Sequence, residues 1–152
     1  MHQVGEPPIL YFGTPVVLVS TVNEDETLNL APMSSIFWLG WRCMIGLSAF
    51  SKTTQNLLAT KQCVLNLPSV NQVNAVNKLA LTTGSNPVPE GKKQKGYRHE
   101  SRKFEISGLT PEPSLVVKPS RVKECPVQLE AGLISVHPLA EDNPAQKGRI
   151  LT

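Results

Sequence analysis

The run Val16-Val17-Leu18-Val19-Ser20-Thr21-Val22 constrains this chain more than any other segment. It is short, β-branched and apolar along most of its length, the signature of a strand covered on both faces. The polar stretch that follows, Asn23 to Thr27, is a turn, and Leu28, Asn29, Leu30 and Ala31 return as a second strand of a hairpin. Arg42 to Ser48 alternates, with Cys43, Ile45 and Leu47 on one face and Arg42, Met44, Gly46 and Ser48 on the other. Cys63 to Leu67 reads as a further strand, and Ser114–Lys118 and Val127–Val136 as two more. A short helix follows Ser51, which caps it, with Leu57 and Leu58 on its buried side. A clearer helix opens at the capping box Ser69 to Gln72 and carries the stripe Val70, Val73, Val76, Leu79 and Ala80. About six strands and two helices that do not alternate regularly argue against a doubly wound sheet and predict an antiparallel barrel or an α+β domain.

Length supports one core: 152 residues is the size of a single ordinary domain. With 40% hydrophobic and 18% charged residues, the chain can pack an interior and is not of disordered composition. No apolar run approaches the ~20 residues of a membrane-spanning helix, and the opening MHQVGEPP lacks the basic stretch and apolar core of a signal peptide. Cys43, Cys63 and Cys125 are odd in number and widely spaced, which argues against a disulfide framework or a zinc site and leads us to expect a reducing cytoplasm. A formal charge of +3 does not by itself imply nucleic acid. Between residues 92 and 103, however, Lys92, Lys93, Lys95, Arg98, Arg102 and Lys103 face Glu100 alone. This segment reads either as a solvated loop or as a collar for phosphate groups. Nucleic acid fits it worst, because Tyr97 and Phe104 are its only rings.

Several catalytic patterns are absent. There is no G-x-G-x-x-G, and the glycine spacing of Gly91 to Gly96 is followed by Tyr97 where a phosphate loop needs lysine. His99-Glu100 meets Lys103 instead of a second histidine, and no G-x-S-x-G occurs. Two segments remain. Asn29 to Gly40 follows a strand, holds Pro32 and presents Ser34 and Ser35 beside Ile36, Phe37 and Trp38. It reads as a strand that kinks or as a polar-edged wall for a flat heterocycle. Ser48 to Asn56 places Lys52, Thr53 and Thr54 at a helix start, where free amides and the dipole favour an anion. A well-capped surface helix is the plainer reading of the same residues.

Taken in order, these segments resemble the flavin reductase family with its FMN-binding split barrel. VVLVSTVNEDETLNLAPMSS resembles the opening hairpin, CMIGLSAFSKTTQNL the strand and phosphate-binding helix, and CVLNLPS the strand after it, while KFEISGLTPEPS and ECPVQLEA resemble the later part. The resemblance covers roughly residues 10–140 and implies a mainly β, antiparallel, Greek-key-like split barrel over 15–140 with two short flanking helices. An entry segment at 1–14 precedes it, and 141–152 begins a further strand at Arg149-Ile150-Leu151, so that the family barrel continues past Thr152. By resemblance, Lys52, Thr53 and Thr54 contact the flavin phosphate with Ser48 and Asn56 beside them, and Asn29, Ala31, Pro32, Met33, Ser34 and Ser35 follow the ring and ribityl chain. The implied activity is hydride transfer from NADH or NADPH to FMN in a homodimer, with no catalytic acid or base, in some members serving a partner monooxygenase. The alternative is a flavin-binding electron carrier without nicotinamide turnover of its own. Neither reading involves nucleic acid or a membrane.

Overall fold

The computed structural model describes residues 13–139, 141–142 and 149–152. The expected entry segment therefore lies outside the described residues except for its last two positions. Four helices and twelve short strands are found among the described residues. Strand β1 (Val17–Val22) turns through Asn23–Thr27 into β2 (Leu28–Met33), and the pair is antiparallel without a bulge from Val17 opposite Met33 to Val22 opposite Leu28. The turn needs a left-handed residue, which Glu26 supplies at φ 64°. After β3 (Ile36–Leu39) and β4 (Arg42–Ser48) come helix α1 (Lys52–Thr60) and β5 (Gln62–Leu67). Next are α2 (Val73–Leu79), β6 (Thr82–Thr83), α3 (Glu90–Lys93), β7 (Arg98–His99) and α4 (Lys103–Ser107). The chain ends with β8 (Pro111–Glu112), β9 (Arg121–Val122), β10 (Val127–Gly132), β11 (His137–Leu139) and β12 (Arg149–Leu151).

Two four-stranded sheets form the expected split barrel, one in the order β10-β5-β1-β2 and the other β11-β12-β4-β3. The chain crosses between them at Ser34-Ser35, where the Ser35 carbonyl accepts from the Gly46 amide at 2.7 Å. Pro32 sits on β2, an outer strand of its sheet, where a missing amide costs no ladder bond. The predicted two-faced burial holds across β1, where Val17, Leu18 and Val19 are each 0% exposed, while Val16 before it is exposed. Alternation sends Val17 and Val19 into the barrel with Ile45, Leu47, Leu57 and Leu65, and Leu18 into a second core with Leu30, Leu79, Phe104 and Val122. One strand is thus shared between two hydrophobic clusters.

Some expectations are corrected. Leu58 is exposed, and the buried side of α1 is Thr53, Thr54, Asn56 and Leu57, because the helix packs over the polar end of the barrel. The Ser69 capping box is present but opens a 3-10 turn, Val70–Gln72, before α2; Val70, Val73 and Ala80 are exposed, and Leu79 anchors the helix. The basic segment 92–103 is not all loop, since the end of α3 and the whole of β7 lie within it. No strand forms at Ser114–Lys118. There the Glu130 carboxylate accepts from the amides of Leu115 at 2.8 Å and Val116 at 2.6 Å, and this holds the segment as a bend instead. The last predicted strand stops at Gly132.

Candidate functional site

A cleft of about 690 Å³ opens at the end of the barrel marked by the β1–β2 turn. One bank is that turn, with Asn23, Glu24, Asp25 and Thr27; the floor includes Asn29 of β2 and Lys52 at the start of α1. The other bank is formed by Gly84, Ser85 and Asn86 after β6, by His99 at the end of β7, and by Glu100 and Ser101 after it.

Local sequence explains the banks. Ser51 is the N-cap of α1, its hydroxyl accepting from the Thr54 amide at 3.1 Å. The amides of Lys52 and Thr53 make no such bond among the described residues, so the helix start keeps free donors beside the Lys52 charge. The turn is held from within: the Asp25 carboxylate accepts from both the amide and the hydroxyl of Thr27, and the Asn23 amide group donates to the Thr27 hydroxyl. These hydrogen bonds hold the Asp25 carboxyl below its ordinary range, side-chain bond first.

A buried polar network joins turn, strand and helix. Asn56 donates to the Thr21 hydroxyl at 3.0 Å and to the Asn23 side-chain oxygen at 2.8 Å. Asn29 donates to Thr21 at 3.2 Å and to the Thr53 hydroxyl at 3.3 Å. The Thr54 hydroxyl donates to the Ser48 carbonyl at 2.7 Å.

Two features mark the opposite bank as built around something. Among the described residues the Ser85 hydroxyl is buried and has no hydrogen-bond partner, a costly state. Gly84 is also close-packed: a Cβ there would stand 2.7 Å from Asn29 Oδ1 and 3.1 Å from Lys52 Cγ. Only glycine lets this backbone approach both floor residues.

Of the residues singled out from the sequence, Asn29 and Lys52 line the cleft. Thr53, Thr54 and Asn56 lie just behind its wall and are almost fully buried. Ala31 and Met33 share the strand face of Asn29 but run toward the barrel interior, where Met33 packs against the first core. Pro32 is on the other face, Ser34 and Ser35 form the crossing between sheets, and Ser48 is exposed before α1. His99–Ser101 lie within the segment read as a solvated loop or a phosphate collar, while the turn and the Gly84–Asn86 segment were not foreseen as cleft residues. A lone glycine beside a serine carries no pattern that would have flagged them. The basic segment contributes no lysine or arginine to the lining. Lys92 donates to the Thr83 hydroxyl at 3.1 Å and lies over the Tyr97 ring, and Lys103 is buried with its ammonium 3.2 Å from the Leu30 carbonyl. Among the described residues no group of three His, Cys, Asp or Glu side chains is placed to hold a metal ion, and no helix is long and apolar enough to cross a membrane.

The model of the flavin reductase like domain family matches residues 9–144. An uncharacterized protein of Bacillus subtilis (strain 168), YdfE, is 41% identical over 126 residues, covering 83% of this chain and 61% of the relative. This chain thus spans less than two thirds of that protein's length. Among solved structures, flavoredoxin of Desulfovibrio vulgaris (Miyazaki F) superposes with a TM-score of 0.74 at 21% identity, over 99% of this chain and 72% of the other. Nitrilotriacetate monooxygenase component B from Bacillus cereus does so with a TM-score of 0.71 at 21% identity, over 92% and 65%.

Proposed function

Because this chain belongs to the flavin reductase like domain family, we propose that its cleft holds FMN and that the protein passes reducing equivalents from NADH or NADPH to the flavin. The observation that carries this reading is the meeting of Lys52 and the open start of α1 with a partnerless buried hydroxyl at Ser85 across a cleft. In this reading Lys52 and the first amides of α1 take the phosphate, a charge-assisted contact at a helix start. Asn29 and Ser85 offer polar groups to the rest of the cofactor, and Gly84 leaves it room. Thr53, Thr54 and Asn56 act from behind the wall, fixing the helix start through their hydrogen bonds. Ala31, Pro32 and Met33, whose side chains face the barrel interior or the opposite side, would meet the ring through the backbone of β2, and Ser34 and Ser35 follow at the crossing between the sheets, with Ser48 at the helix approach. Bound FMN supplies the hydride acceptor; the chain supplies position and charge.

Titration of the purified protein with FMN, followed by anaerobic addition of NADH and NADPH, tests the proposal. Binding with loss of the oxidised flavin band supports it. Binding without bleaching by either donor supports the second reading, an electron carrier, which the flavoredoxin likeness brings forward. In the enzyme reading we further propose a homodimer in the cytoplasm whose reduced flavin can serve a partner monooxygenase, as the name of the Bacillus cereus structure suggests.

A further inference from the structure

We infer that Ser85 and Asn29 act as a pair that reads a hydroxyl of the flavin's sugar-alcohol chain, next to its phosphate. This rests on the reading of the cleft as the flavin site. Both residues line the cleft. Asn29 is 2% exposed, and its side-chain nitrogen is spent on the Thr21 and Thr53 hydroxyls. Its side-chain oxygen accepts no hydrogen bond among the described residues. The Ser85 hydroxyl is likewise without a partner among them. Two uncommitted polar atoms, shielded from water, thus border one cleft.

The Ser85 backbone is pinned on both sides of that hydroxyl. Its amide donates to the Thr83 hydroxyl at 3.3 Å, and its carbonyl lies 3.1 Å from His99 Nδ1. A carbonyl only accepts, so Nδ1 carries the hydrogen. The Thr83 hydroxyl is held in turn by Lys92 Nζ at 3.1 Å. The side chain of Ser85 alone is free, and turning it about χ1 to meet a ligand breaks no bond.

Position and chemistry together select the ligand group. A Cβ on Gly84 would stand 2.7 Å from Asn29 Oδ1 and 3.1 Å from Lys52 Cγ. Ser85 is the next residue, ~3.8 Å further along the chain, and so stands beside the stem of the lysine proposed to take the phosphate. In FMN the ribityl hydroxyls are the groups nearest the phosphate, and the whole ribityl chain separates it from the ring. A phosphate dianion has no hydrogen to give the Asn29 oxygen and repels it. A hydroxyl both donates and accepts, so one such group satisfies Asn29 Oδ1 and Ser85 Oγ together.

Fluorescence titration of the native protein and of Ser85→Ala tests the inference, with FMN, riboflavin and FMN analogues lacking one ribityl hydroxyl at a time. The Ser85 hydroxyl makes no hydrogen bond among the described residues, so alanine removes none and the variant folds. FMN and riboflavin should both bind Ser85→Ala roughly three- to tenfold more weakly, the span of one neutral hydrogen bond. One deoxy analogue should bind the native protein more weakly than FMN by a similar factor, and Ser85→Ala should close that gap. A loss confined to FMN would put Ser85 on the phosphate. An equal loss for FMN, riboflavin and every deoxy analogue would put it on the ring, and no loss would remove it from the site. Each of these overturns the inference and leaves the flavin reading intact, whereas a native protein that binds no FMN overturns both.

Discussion

Lys52 and Gly84 are the residues on which the site can be tested most directly. Lys52→Ala removes the cation at the start of α1, a charge-assisted contact worth about 1.5–3 kcal/mol. FMN binding should weaken roughly tenfold to hundredfold, and riboflavin, which lacks the phosphate, far less. Fluorescence titration with both ligands decides it, and equal losses would remove Lys52 from the phosphate site. Gly84→Ala places a methyl 2.7 Å from the buried Asn29 side-chain oxygen. Overpacking of this kind costs about 1–3 kcal/mol. Thermal melts should fall by several degrees, and added FMN should restore less of the loss than it adds to the native protein; an unchanged melting temperature would mean that the segment yields freely.

At the scale of elements, α4 carries a pH-dependent strain. Burial, reinforced by the nearby Lys92 charge, pulls the Lys103 ammonium down to about 8 from an ordinary 10.5. Between these values the unfolded chain holds a proton that the folded chain has released, so stability rises with pH across that window; below about 8 both states are protonated and the full penalty remains. Denaturant midpoints measured from pH 7.5 to 10 should climb, and Lys103→Met should flatten the climb. A slope unaffected by the substitution would place the titrating group elsewhere.

The elements themselves were unequally legible. The strands β1 and β4 announced themselves, the first by its β-branched run and the second by clean alternation. Four-residue β3 and five-residue α4 are too short for a period to show. At α2 the stripe of valines suggested burial, but a 3-10 first turn rotates Val70 to 84% exposure. On the floor of the cleft, Lys52 was legible because a lysine at a helix start follows known chemistry, whereas Asn29 was legible only through the family resemblance. The Gly84–Asn86 bank was not, since its role depends on a distant contact made only when the chain folds.

Across the whole molecule, β1 ties two cores into one cooperative unit, and its Leu18 is buried in the helical core while Val17 and Val19 face the barrel. Leu18→Ala should cost about 2–5 kcal/mol and shift a single unfolding transition to lower denaturant, seen equally by tryptophan fluorescence, which reports from Trp38 beside the barrel core, and by far-ultraviolet circular dichroism. Two separated transitions would show that the cores come apart independently. The Asn56 link has a different consequence. Its side chain reaches from α1 to Asn23, so the hairpin tip and α1 are braced as one truss. A guest gripped at either end stiffens the other, and slowed amide hydrogen exchange should spread from α1 into the hairpin even where the guest touches nothing.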